Sequence, residues 1–193
     1  MNNFYPFEED MEQCLLTLSK GGTILYPTDT VWGIGCDATC MDAVNKVYQI
    51  KNRPQNNPFI ILVHSEAMLL KYVDDVPEIA YDLIEASVTP LTIIFPKGKN
   101  LANNVIGQDG SIAIRIVHEP FCKTLIATFK KPIVSTSANI STFSAPLFFS
   151  EINQEIIHAI DYVVKYRQKD NTHIPPSSIV KVFSDNTVQY IRK

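Results

Sequence analysis

Lys51 and Arg53 stand two residues apart in Lys51-Asn52-Arg53-Pro54, about twenty residues after the stretch Tyr26-Pro27-Thr28-Asp29-Thr30-Val31-Trp32-Gly33. In an extended segment, residues two apart project to one side. A compact ammonium and a planar guanidinium then face one anion together, the ammonium as a point charge and the guanidinium as a fork. The competing reading is a pair of solvated surface charges just after a helix. Arg115 lies inside the apolar run Ile112-Ala113-Ile114-Arg115-Ile116-Val117. It either faces solvent by strand alternation or meets a buried anion, for which a substrate carboxylate is a natural partner. Hydroxyls and an amide from Thr28, Ser135, Ser137, Asn139 and Ser177 follow or precede apolar runs, where ligands of open α/β sheets collect. Each alone is also an ordinary turn residue.

The elements that must position these groups are legible from periodicity. Met11, Cys14, Leu15 and Leu18 share a helix face that ends at Gly21-Gly22. Thr23 to Tyr26 reads as a buried strand, and the segment from Pro27 to Ala38 as an ordered loop. Thr39 with Asp42 predicts a cap for a helix with Val44, Val47, Tyr48 and Ile50 inward. Strands are expected at 58–63, 91–95, 111–117, 132–135, 161–165, 178–182 and 188–192. Helices are expected after Ser65, over Glu78 to Ala86, from Pro120 to about Phe129, and from a Ser150 cap to about Ala159. The mixture predicts an α/β or α+β fold, one domain over 1–193, around a mixed sheet.

With 193 residues the chain suits one domain, burying roughly 70% of its unfolded surface. A net charge of −3 argues against an extensive nucleic-acid surface, although a local basic cleft is compatible with it. No apolar run reaches membrane-spanning length, and the acidic N-terminus lacks a secretory pattern, so a cytoplasmic protein is expected. Cys14, Cys36, Cys40 and Cys122 show no zinc spacing and read as reduced thiols, and His64, His118, His158 and His173 are scattered. There is no Walker A sequence, no Gly-x-Gly-x-x-Gly and no nucleophile elbow.

Five segments, in order, resemble the YrdC-like family of threonylcarbamoyl-AMP synthases. They are Tyr26 to Gly33, Lys51-Asn52-Arg53-Pro54 with Asn57-Pro58, Ser111 to Arg115, Ser135 to Ser141, and Pro176 to Val180. The resemblance implies a twisted mixed parallel and antiparallel sheet flanked by helices (a YrdC/RibB-like fold) in the single-domain form. It implies formation of threonylcarbamoyl-AMP and pyrophosphate from L-threonine, bicarbonate and ATP, with Mg2+. The product would pass to a tRNA-modifying transferase complex, with weak tRNA binding as a further possibility and a noncatalytic RNA-binding module as the alternative. Residue by residue, Thr28, Arg115, Ser135 and Ser177 are expected around threonine. Lys51, Arg53, Asn57, Ser111, Ser137, Asn139 and Arg192 are expected around the nucleotide, with Lys51 and Arg53 catalytic and no metal ligand assigned. Three departures stand out: Trp32 where the family has Tyr, Leu62 where it often has His, and Thr142, Ser144 and Ala145 where it has Gly and Pro-Ser.

Overall fold

A computed structural model describes residues 6–172 and 174–193. The residues up to Tyr5 and His173 lie outside it. Among the described residues nine strands form a single sheet: β1 (Ile24–Tyr26), β2 (Gly33–Gly35), β3 (Ile60–Val63), β4 (Leu91–Phe95), β5 (Ile112–Ile116), β6 (Ile133–Ser137), β7 (Tyr162–Val163), β8 (Ser178–Val182) and β9 (Val188–Arg192). Their spatial order is β7-β1-β2-β6-β3-β5-β4-β8-β9. The pairs β1/β7, β3/β5 and β4/β8 are parallel and the others antiparallel, so the sheet is mixed as expected.

The helices are α1 (Glu8–Ser19), α2 (Met41–Lys51), α3 (Glu66–Leu69), α4 (Glu78–Ala86), α5 (Pro120–Phe129) and α6 (Gln154–Ala159). Ser65 caps α3 by accepting from the Met68 amide, and Pro120 opens α5 at its first turn, both as the sequence predicts. None of the helices in the described residues is long and apolar enough to cross a membrane. The four cysteines are free thiols, three of them buried and Cys40 half-buried.

Three local expectations need correction. The segment after Tyr26 is not all loop, because Gly33–Gly35 forms β2 between β1 and β6. Its composition hides it, since glycines lower strand propensity. At Gly35 the glycine serves close approach: a Cβ there would sit 2.6 Å from Tyr26 Cε1 and 2.7 Å from the Val134 carbonyl oxygen. Thr39 does not cap α2. Its amide and hydroxyl both go to Asp37 Oδ1, at 2.8 and 2.6 Å, and Cys40 takes the cap position. Ser150 lies in a 3-10 turn (Phe149–Glu151), and the cap of α6 is Asn153, whose side chain accepts from the Glu155 amide.

Alternation along the central strands sorts the sheet into two faces. Ile61, Val63, Ile93, Phe95, Ile112, Ile114, Val134, Val180 and Val182 are buried in the hydrophobic core. The intervening residues Ile60, Thr92, Ile94, Ala113, Arg115, Ser135 and Ile179 line a cavity on the opposite face. Register aligns them across neighbouring strands: Ile60 beside Ala113 and Ser135, and Thr92 beside Arg115 and Ile179.

Candidate active site

That face floors a cavity of about 430 Å3, a size ordinary for a small-molecule site. Three arginines reach it from separate parts of the chain: Arg53 from the segment after α2, Arg115 from β5 and Arg192 from β9. Hydroxyls of Ser111, Ser135, Ser137 and Ser177 stand around them. An acidic protein has thus concentrated cationic and hydrogen-bonding groups on one wall, an arrangement suited to a polyanion.

Arg115 resolves the alternative left by its strand position, because its guanidinium is turned inward. Its Nη2 lies 3.0 Å from Asp29 Oδ1, and the two side chains are only 5% and 10% exposed. Its fixed partner is therefore a protein carboxylate, while the residue still lines the cavity.

Arg192 owes its direction to an irregularity in β9. Register runs Val180–Tyr190 and then Ile179–Arg192, so Ile191 is an extra residue that shifts the phase of the strand. Its Nε donates to the Ser177 carbonyl at 2.9 Å, and Nη2 is 3.4 Å from Ser177 Oγ. Ser177 Oγ in turn shares a 2.8 Å hydrogen bond with the fully buried Thr92. Burial, followed by the nearby Arg115 charge, draws the Arg192 pKa below its usual value.

Arg53 is held by its own loop. Nε donates to the Asn57 carbonyl at 2.8 Å and Nη2 to the Pro58 carbonyl at 3.0 Å, with the guanidinium 5.0 Å above the Phe59 ring. Those contacts occupy one edge and one face of the guanidinium and fix its orientation.

Lys51 is not placed as an extended pair with Arg53. It closes α2, and Asn52 follows in the left-handed region at φ 48°. The Lys51 side chain is buried, and its Nζ donates at 2.6 Å to the carbonyls of both Ser137 and Asn139. Asn139 Oδ1 is 3.4 Å away and also accepts from Ser137 Oγ. Burial, then the Arg53 charge, pushes the lysine pKa down to about 7. Lys51 thus ties the end of α2 to the Ser137–Ser141 loop. The Ser141 amide completes the tie by donating to the Lys51 carbonyl at 3.0 Å.

Of the residues singled out from sequence, Arg53, Asn57, Ser111, Arg115, Ser135, Ser137, Ser177 and Arg192 line the one cavity. Thr28, Lys51 and Asn139 do not line it. The Thr28 hydroxyl is spent inside its own turn, donating to the Val31 carbonyl at 2.8 Å and accepting from the Thr30 amide at 3.0 Å. Its neighbour Thr30 lines the cavity instead. Trp32 forms a cavity wall, its ring 4.8 Å from that of Phe149. Leu62 is fully buried beside Arg115 in register. Ala145 is a further lining residue.

The Sua5/YciO/YrdC family model, described as "Telomere recombination", matches residues 17–193. The chain belongs to the Sua5/YciO/YrdC family. A Sua5/YciO/YrdC relative, the threonylcarbamoyl-AMP synthase of Pseudoalteromonas translucida (strain TAC 125), is 36% identical over 165 residues, which are 84% of this chain and 87% of that one. Among solved structures, E. coli YciO superposes with a TM-score of 0.83 at 21% identity, covering 98% of this chain and 91% of that chain. P. abyssi Sua5 complexed with L-threonine gives a TM-score of 0.83 at 24% identity, covering 96% of this chain and 54% of that one. The chain therefore spans about half the length of the P. abyssi protein. These two likenesses establish the Sua5/YciO/YrdC fold, to which the nine-stranded mixed sheet conforms.

Proposed function

We propose that this protein is an L-threonylcarbamoyladenylate synthase, a nucleotidyltransferase that makes threonylcarbamoyl-AMP and pyrophosphate from L-threonine, bicarbonate and ATP. The observation that carries the reading is the convergence of Arg53, Arg115 and Arg192 on one hydroxyl-lined cavity in a member of this family. The name of the relative that is 36% identical supports it.

The chemistry joins two anions, so charge neutralisation and alignment dominate. The threonine amine adds to CO2 derived from bicarbonate and loses a proton, giving a carbamate. A carbamate oxygen then attacks the α-phosphorus, the bond to the bridging oxygen breaks, and pyrophosphate leaves. In this reading Arg115 receives the threonine carboxylate, with Ser135 and Ser177 nearby. Arg53 and Arg192 face the phosphates, with Ser111 and Ser137 beside them. Lys51 holds the Ser137–Asn139 wall in place and adds positive potential from behind it.

Magnesium would enter with the nucleotide. Its usual ligands are carboxylates, water and phosphate oxygens. Among the described residues no carboxylate lines the cavity, and no three His, Cys, Asp or Glu side chains cluster to hold a metal ion. The residues present fit MgATP as a substrate complex rather than a protein-held ion. A cytoplasmic location and transfer of the product to a tRNA-modifying complex accompany the proposal.

The deciding experiment is a screen of the twenty amino acids for pyrophosphate release with ATP and bicarbonate. Release that depends on L-threonine is expected. Equal release with every amino acid, or none with any, overturns the assignment. Salt-dependent tRNA binding without threonine-dependent release would favour a binding module instead.

A further inference from the structure

Asp29 is half-buried, with both carboxylate oxygens shielded from solvent, and it does not line the cavity, whereas its contact Arg115 and its neighbour Thr30 do. Asp29 therefore meets a bound substrate only through its neighbours. Its Oδ1 is 3.0 Å from Arg115 Nη2, an approach that gives charge contact without aligned hydrogen bonds. Both Asp29 oxygens and Arg115 Nε lack a hydrogen-bond partner among the described residues. The carboxylate thus holds one end of the guanidinium by charge and leaves the rest of the fork uncommitted. A buried guanidinium with no opposing anion would be strongly destabilising, so removing either partner alone has consequences beyond the contact itself.

The turn bearing Asp29 is fixed from outside. Arg167 Nη1 donates to the Thr28 carbonyl at 3.1 Å and stands 3.7 Å from Glu119 Oε1. Its Nη2 is 2.9 Å from Asp170 Oδ2. The Thr28 hydroxyl then sets the shape of the turn through Val31 and Thr30. Arg115 itself is fixed at the centre of the sheet, paired on either side with Leu62 and Thr92. Two stiff elements therefore determine where the pair meets.

We propose that Asp29 is a positioning residue that aims the Arg115 guanidinium into the cavity and thereby sets the affinity for the amino-acid carboxylate. The inference rests on the reading of Arg115 as the carboxylate anchor.

The test uses the full chain and compares Asp29→Asn, Arg115→Gln and the double variant in the pyrophosphate-release assay. Asp29→Asn is expected to raise the KM for L-threonine about tenfold or more while the KM for ATP moves less than twofold. Adding Asp29→Asn to Arg115→Gln is expected to cost no further threonine affinity, since Asp29 acts through the arginine. A merely structural role would move both KM values together. A threonine KM within twofold of wild type in Asp29→Asn, or a further loss in the double variant, overturns the proposal. The double variant removes both buried charges, so the comparison with Arg115→Gln survives if Asp29→Asn does not fold. A second readout separates this inference from the assigned reaction: guanidinium NMR of the wild type without substrate. Resolved, slowly rotating Arg115 Nη signals are expected. Signals averaged by fast rotation overturn the proposal whatever the enzyme turns over, and an inactive wild type with resolved signals overturns only the assigned reaction.

Discussion

The Lys51 ammonium nitrogen lies 2.6 Å from the Ser137 carbonyl oxygen, so the last side chain of α2 is anchored under a loop that walls the cavity. Its folded pKa is about 7, against an ordinary lysine value near 10.5, with burial as the main cause. Between those two values the unfolded chain binds more protons than the folded one, so the lysine's contribution to stability improves as pH rises. The destabilising contribution is full below about 7 and gone above about 10.5. Comparison with Lys51→Met isolates it. From about pH 6.5 to 9, the melting temperature of wild type minus that of the variant should grow by several degrees, on the order of 2–3 kcal/mol. A flat difference would mean that the oxygens of Ser137 and Asn139 keep the ammonium charged throughout.

The same anchor bears on turnover. Lys51→Ala removes the donor to two carbonyls and a positive charge behind Ser137. Threonine-dependent pyrophosphate release should fall by about 10²-fold or more. Unchanged release at saturating ATP would remove Lys51 from any catalytic account.

How much of this was legible beforehand depends on what each residue touches. The sheet-forming runs, Ser65 and Pro120 were readable because their signals are local. The buried position of Lys51 was also readable: it falls seven residues after Val44 and four after Val47, on the apolar face of α2. An extended reading of Lys51 to Arg53 hid that spacing. Asp29 could not be found this way, because Asp inside a Pro-Thr-Asp-Thr turn is explained by the turn itself. Only the long-range meeting with Arg115 on β5 gives it another meaning. The direction of Arg192 was equally hidden, since it depends on one extra residue in β9.

Arg53 tests the value of a planar fork. Its Nε and Nη2 contact the Asn57 and Pro58 carbonyls while its face lies over Phe59. Arg53→Lys keeps the charge but loses the two-point hold and much of the stacking. The KM for ATP should rise by about tenfold, with the KM for threonine little changed, corresponding to about 1.4 kcal/mol. A variant with wild-type ATP affinity would show that charge alone suffices there.

Asp10 tests the edge of the sheet farthest from β9. Its carboxylate accepts from Tyr162 Oη at 2.7 Å and from the amides of Lys165 and Tyr166 at 2.9 and 2.8 Å. It therefore ties α1 to β7 and to the chain leading into Arg167. Asp10→Ala leaves two part-buried amides without their acceptor, at a cost of about 1 kcal/mol each. A drop of at least several degrees in melting temperature is expected by thermal denaturation. A change under one degree would mean that the α1 anchor contributes nothing measurable.

Gly35 tests whether the unforeseen β2 is a real constraint on the site. A Cβ there would meet Tyr26 Cε1 at 2.6 Å, the Val134 carbonyl oxygen at 2.7 Å and Ile133 Cγ2 at 2.9 Å. Two of those atoms belong to β6, the strand that carries Ser135 and Ser137 to the cavity. The backbone oxygen cannot move aside as a flexible side-chain end could, so Gly35→Ala must spread β2 from β6. Overpacking of this kind costs about 1–3 kcal/mol, which corresponds to a fall of very roughly 2–12 °C in melting temperature for a chain of this size. Because the displaced strand bears cavity serines, the loss in threonine-dependent release should persist well below the melting transition. A Gly35→Ala protein that is less stable yet fully active at low temperature would show that the spacing of β2 and β6 serves the fold alone.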